Sequence, residues 1–318
     1  MILVRKDQTM LSFVIPAKNE EDSVEALLNE IEDVMKEVGR DYEVIFVDDG
    51  STDSTFEILK KLHNKNKKVR IVRHRGNWGK SIALQNGFDK ARGEIIFTLD
   101  ADLQDNPADI PQFLKKLSGG YDLVSGWKQK RLDPQIAKVI PSRIVNFLAR
   151  KLTGVKIHDT NCGFKAYKKE VIQSLNLYGE LYRFIPIIAA KQNFNVGEVS
   201  VTHRPRKFGK TKFGASRGIK GILDLLTVVF ITGYVQRPGH FFGTLGLSSF
   251  SFGFLIGLYI TYLRVTTGSI QYRQPLLYLG ILLMIVGIQL ITTGLLAEMI
   301  IYSRKRFDYT SAIKETLG

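Results

Sequence analysis

The stretch Gly93–Pro107, GEIIFTLDADLQDNP, decides how this chain is read. Its opening residues form a short apolar run that reads as a buried strand. Where that strand ends, Asp100, Asp102, Gln104 and Asp105 stand together. Carboxylates crowded at a strand tip repel one another unless a cation or hydrogen bonds compensate. Hard divalent ions such as Mg²⁺ and Mn²⁺ take oxygen ligands, commonly one or two carboxylates plus substrate phosphates. A helix cap would need only one acid, and Asp105 before NPADIPQF could be it. Three aspartates together favour metal binding.

Outward from this stretch, strand and helix patterns alternate. MLSFVIP (10–16), YEVIFVDDGSTDST (42–55), KVRIVRH (68–74) and YDLVSGW (121–127) read as strands or strand-plus-turn units. EEDSVEALLNEIEDVMKEV (20–38), TFEILKKLHNK (55–65), GKSIALQNGFDKA (79–91) and IPQFLKKLSGG (110–120) space their apolar residues as helices do. Nearly continuous apolar strands separated by helices predict an α/β domain with a parallel, doubly wound sheet. Ligands in such sheets bind at the carboxyl ends of the strands. The polar clusters at Ala17–Glu20, Asp48–Asp53 and Asp100–Asp105 all follow strands and should converge on one edge.

The composition changes near residue 218. Two uncharged runs, 240–263 and 275–297, exceed the roughly 20 residues needed to span a bilayer and place the two spans at about 240–263 and 275–299. The loop between them carries only Arg264 and Arg273, whereas Arg304, Lys305 and Arg306 follow the second run. Upstream, no acid occurs between Glu198 and Asp224, while Arg204, Arg206, Lys207, Lys210, Lys212, Arg217 and Lys220 are all basic. The net charge of +14 therefore points to a membrane surface or lipid phosphate rather than to nucleic acid. Basic flanks belong in the cytoplasm. The expected organisation is a cytoplasmic domain over 1–217, an interfacial amphipathic helix over 218–238, two transmembrane helices within 239–303, and a cytoplasmic tail over 304–318. The N-terminus lacks a signal-peptide layout. The single cysteine, Cys162, excludes an internal disulfide framework.

Five segments in order carry a family resemblance: FVIPAKNEE (13–21), VDDGSTDST (47–55), GNWGKSIAL (76–84), DADLQD (100–105) and NCGFKAY (161–167). Together they resemble the inverting family 2 glycosyltransferases of the A-type fold. Within that family the chain resembles the membrane-anchored polyprenyl-phosphate enzymes, bactoprenol-phosphate glucosyltransferases and dolichol-phosphate mannose synthases. The resemblance implies a nucleotide-sugar donor, a polyprenyl phosphate acceptor, a Mg²⁺ or Mn²⁺ cofactor, a plasma-membrane location and a possible homo-oligomer.

It also assigns roles. Pro16, Ala17 and Glu20 would line the base and ribose. Val47 and Asp49 would bind the base, with Asp48 beside them. Asn77, Gly79 and Lys80 would close on the nucleotide. Asp100, Asp102 and Gln104 would hold the metal on the diphosphate. Arg143, Arg183, Arg206 and Lys212 would hold the acceptor phosphate, which is already anionic and needs no general base. Lys128 falls where relatives often have an arginine, so it keeps the charge but loses the bidentate fork. In DTNCGFK (159–165), Asp159 is the candidate acid, although some relatives carry theirs where Gly163 falls here.

UDP-glucose is the favoured donor, with GDP-mannose and UDP-N-acetylglucosamine as alternatives. A processive polysaccharide synthase would carry a Gln-x-x-Arg-Trp motif, which neither Trp78 nor Trp127 supplies. A non-catalytic membrane scaffold would have no use for the intact acids.

Overall fold

The computed structural model describes residues 9–129, 150–151, 153–205, 227–228 and 238–303. The chain divides between residues 228 and 229 into two compact units.

The first unit is built on a seven-stranded sheet. Strands β1 (Leu11–Ala17), β2 (Tyr42–Asp48), β3 (Val69–Arg73) and β4 (Ile95–Thr98) alternate with helices α1 (Val24–Val38), α2 (Thr55–Lys65) and α3 (Lys80–Lys90). A 3-10 turn (Pro107–Asp109), helix α4 (Ile110–Ser118) and strand β5 (Leu123–Trp127) follow. Strand β6 (Lys165–Lys168), helix α5 (Lys169–Ser174), a 3-10 turn (Leu181–Phe184), helix α6 (Ile185–Lys191) and strand β7 (Val196–Ser200) complete it.

The strand order is β3-β2-β1-β4-β6-β5-β7. The sheet is mixed rather than wholly parallel, because β6 runs antiparallel to both β4 and β5. The strands expected from their apolar runs pair in parallel, β1 with β2 and β4, and β2 with β3.

Burial follows the pattern. Phe13, Ile15, Val44, Phe46 and Phe97 are fully buried, and α1 covers them with Leu27, Leu28, Ile31 and Met35. Phe113 of α4 stacks on Phe164 at 4.4 Å. Helix α3 lies close on the opposite face, where a Cβ on Gly87 would sit 2.3 Å from Val14. Pro16 is tolerated within β1 because pairing with β4 stops at Val14 opposite Thr98, so a missing N–H breaks no bond on that side.

The second unit contains helices α7 (Pro238–Thr267) and α8 (Gln274–Ser303). Both contain windows apolar enough to cross a membrane, with mean hydropathy 1.6 and 2.3. Only 11% and 17% of those windows are buried, where a soluble core helix would be mostly covered. They occupy the two runs expected to span. Glycines let their backbones meet: a Cβ on Gly253 would lie 2.4 Å from the carbonyl oxygen of Gly280. Of the expected interfacial helix over 218–238, the described residues are Thr227 and Val228, which are helical, and Pro238, which begins α7; the rest lies outside the described residues.

Candidate active site

A cleft of about 390 Å³ opens at the carboxyl ends of β1, β2 and β4. Pro16, Ala17, Lys18, Glu20, Asp49, Asn77, Gly79, Lys80, Asp100 and Asp102 all line it, so four segments far apart in sequence converge, each following a strand.

Each acid reaches the cleft by local means. β4 ends at Thr98, and the chain then turns through Leu103, whose φ of 60° is uncommon for a residue with a Cβ. Burial of Leu103 in the core holds that turn. Asp102 Oδ1 accepts the Gln104 N–H at 3.2 Å, closing an Asx turn. Asp100 is gripped by Lys80, the first residue of α3. It rests over Gly163, where a Cβ would lie 2.5 Å from Oδ2. Burial opposes charge on Asp100, but Lys80, Lys128 and Lys165 outweigh it and hold the carboxyl below its ordinary range. Lys80 is the reciprocal case: burial works against its charge, yet Asp100 pushes its pKa above the usual lysine value.

The second wall is a loop anchored by Asp49. Oδ1 accepts from the Trp78 N–H and His74 Nδ1, both at 2.8 Å, and Oδ2 accepts from the Gly79 N–H at 2.9 Å. The side-chain amide of Asn77, oriented nitrogen-inward, adds a donor to Oδ2 at 2.9 Å. His74 Nε2 meets Asn86 at 2.9 Å, tying the loop to α3. Gly79 at φ 90° makes the turn into that helix.

Other expected site residues lie elsewhere. Val47 is buried, its side chain against α3 rather than in the cleft. Asp48 is fully buried and accepts the Ser51 N–H at 3.0 Å, a turn-forming part. Gln104 is not among the lining residues; its carbonyl receives the Arg204 N–H at 2.9 Å. Lys128 pairs with buried Asp105 at 2.7 Å. Burial opposes its charge, and Asp105 raises its pKa regardless. Asp159 is buried, receiving the Asn161 N–H at 3.3 Å and, at its own N–H, held by Glu198 at 3.1 Å. Arg183 pairs with Glu180 at 2.7 Å. Arg143, Arg206 and Lys212 lie outside the described residues.

Lys18, Ala83 and Ala101 line the cleft without having been assigned a role from the sequence, and Glu180 and Tyr182 come from outside every segment singled out there. The Tyr182 N–H donates to Ser81 Oγ of α3 at 3.1 Å, a contact across 101 positions that no local pattern reveals.

Among the described residues, no three His, Cys, Asp or Glu side chains converge as a closed metal cage. The donor set is instead two cleft carboxylates, Asp100 and Asp102. That fits a hard divalent ion completed by ligand phosphates and water.

An acid pair, a lysine at a helix N-terminus and a tethered loop gather at the carboxyl edge of the sheet, a setting suited to a phosphate-bearing ligand. Comparison with known proteins agrees. Residues 12–175 match the model of glycosyl transferase family 2. The dodecaprenyl-phosphate galacturonate synthase of Rhizobium johnstonii is 41% identical, over 94% of this chain and 89% of that protein. The undecaprenyl-phosphate 4-deoxy-4-formamido-L-arabinose transferase of Pseudomonas aeruginosa PAO1 is 33% identical, over 96% and 91%. Among solved structures, the glucosyl-3-phosphoglycerate synthase of Mycobacterium tuberculosis superposes with a TM-score of 0.55 at 20% identity, over 70% of this chain and 82% of that one. The chain belongs to glycosyl transferase family 2 and is a glycosyltransferase.

Proposed function

We propose that this enzyme moves one sugar from a nucleotide sugar to a polyprenyl phosphate at the cytoplasmic face of a membrane, with inversion. The observation that carries this reading is the reach of the 41% identity to the galacturonate synthase. It covers 94% of the chain, running through both the cleft and the apolar helices.

In this reading a phosphate oxygen of the acceptor attacks the anomeric carbon as the bond from that carbon to the diphosphate breaks. Polyprenyl phosphate is anionic near neutral pH, so no side chain need remove a proton. Asp100 and Asp102 would hold a divalent cation, Mg²⁺ or Mn²⁺, whose chemistry is to neutralise the leaving diphosphate. A crystal of the mycobacterial neighbour contains Mn²⁺ and UDP-glucose. Pro16, Ala17 and Glu20 would face the nucleoside, and the Asn77–Lys80 loop would close on it. Arg143, Arg206 and Lys212 remain the proposed cations for the acceptor phosphate.

The favoured donor becomes a UDP-linked hexuronate. Glucose, preferred from sequence, gains no support from the relatives' names, which carry galacturonate and 4-deoxy-4-formamido-L-arabinose. Lys18 stands on the cleft wall as a cation able to meet a sugar carboxylate.

The test incubates membranes holding the protein with polyprenyl phosphate and radiolabelled UDP-galacturonate, UDP-glucose, UDP-N-acetylglucosamine, UDP-4-deoxy-4-formamido-L-arabinose or GDP-mannose. Label should enter the lipid extract from UDP-galacturonate and vanish in Asp102→Ala. Label from another donor overturns the uronate assignment. Label from none overturns the transferase reading.

A further inference from the structure

Lys80 occupies an uphill position. It is the first residue of α3, whose first turn contains no acid. A helix N-terminus carries partial positive charge and favours anions, so a lysine there needs a negative partner. Its partner is Asp100, one of the two carboxylates that fit a divalent ion.

The pair is not sealed in the core. The two side chains keep 26% and 34% of their exposure and share the cleft wall. Asp100 has little room to withdraw, because the backbone of Gly163 lies directly behind it. Lys80 is a long, flexible side chain that opens on the cleft, and its Nζ already sits 5.0 Å from the ring centroid of Tyr182, a face that attracts cations.

We propose that Lys80 is a placeholder cation, neutralising Asp100 before the donor arrives and passing to the diphosphate oxygens when a metal–nucleotide complex takes over the carboxylate. This rests on the cleft being a nucleotide-sugar site. Charge balance makes the exchange specific. A metal ion arriving alone must displace Lys80 and leave its ammonium without its carboxylate at a helix N-terminus. Arriving with a diphosphate, it leaves every charge paired: carboxylates to metal, ammonium to phosphate. Metal and nucleotide should therefore bind with strong mutual dependence, and Lys80 should be its source.

The experiment titrates Mn²⁺ into detergent-solubilised full-length protein and reads free Mn²⁺ by electron paramagnetic resonance, with and without UDP. In wild type, Mn²⁺ alone should bind weakly, and UDP should tighten it by at least about tenfold, within the usual range of coupling between sites. In Lys80→Met, Mn²⁺ alone should bind several-fold tighter than in wild type, and the gain from UDP should shrink. Lys80→Arg should retain the wild-type dependence. Should Lys80→Met lose its cooperative melt, Lys80→Gln is read in its place. A folded variant that binds Mn²⁺ alone no tighter than wild type overturns the proposal. Absence of Mn²⁺ binding in every form, with UDP present, overturns the metal site itself and the proposal with it. Lipid-linked sugar formation by the same wild-type preparation is scored separately, so failure of the transferase reading is told apart from failure of the exchange.

Discussion

Gly163 and Asp100 share one space: the carboxylate of Asp100 fills the volume that any side chain at 163 would need, with all three carboxyl atoms within 2.6 Å of an added Cβ. The obstructing atoms end a side chain, so Gly163→Ala should push Asp100 aside rather than break the sheet. Misplacing a catalytic group by about 1 Å can cost on the order of 10²-fold in rate. We expect Gly163→Ala to lower turnover by one to two decades, as an order of magnitude, with little change in melting temperature. Near-wild-type turnover would show that the position of Asp100 is unimportant.

Asp49 bears on a different quantity. Its buried carboxylate gathers donors from His74, Asn77, Trp78 and Gly79 and so fixes the loop expected to close on the nucleotide. Removing it leaves several donors without their acceptor, at about 1–3 kcal/mol for each that stays buried. Asp49→Ala should therefore raise the KM for donor more than it lowers kcat, and should lower the melting temperature. A drop in kcat alone, with KM and stability preserved, would contradict the anchoring role.

The sheet was legible where burial alone dictated it. β1 and β2 are long apolar runs covered on both faces, so their sequence carries one message. β6 is four residues, KAYK, with lysines at both ends, and its place depends on antiparallel partners on two sides. No local period encodes that. The acids at strand ends were legible as a cluster, but not their division of labour. Asp48 and Asp49 are adjacent, yet one closes a turn in the core and the other faces the cleft. Asp102 lines the cleft while Gln104 does not, and the turn between them passes through the left-handed Leu103. Glu180 and Tyr182 reach the cleft through tertiary packing, which the sequence does not display.

Arg204 offers an energetic test of how the acid loop is braced. Its guanidinium meets both oxygens of Glu30 on α1, at 2.9 and 2.8 Å, and also contacts Asn106, whose side chain caps the turn after the acid loop. Its N–H binds Gln104, and Thr202 binds Asp109. The Arg204–Glu30 pair is partly exposed, so its coupling should be modest, about 1 kcal/mol in a double-mutant cycle of Arg204→Ala and Glu30→Gln. Additive effects on melting would mean that this contact, made by Nη1 to both carboxylate oxygens, contributes nothing. Donor KM should rise in Arg204→Ala if the brace supports the acid loop.

Lys165 makes stability rise with pH in the mildly alkaline range. It lies in β6, only 3% exposed, and donates to the carbonyl of Cys162. Burial pulls its pKa from 10.5 down to about 8, with Lys80 also lowering it and Cys162, Asp159 and Asp100 pulling the other way. Between about 8 and 10.5 the unfolded chain then binds more protons than the folded one. Stability attributable to this residue must rise with pH across that window. Below it, both states carry the proton and the folded protein bears the cost of a buried charge. Lys165→Met should therefore melt higher than wild type at pH 7, and the difference should shrink as pH climbs from 8 towards 10. Other lysines titrate in the same range, but they are common to both proteins and cancel in the comparison. Parallel melting curves across the window would show that Lys165 keeps an ordinary lysine pKa in the folded state.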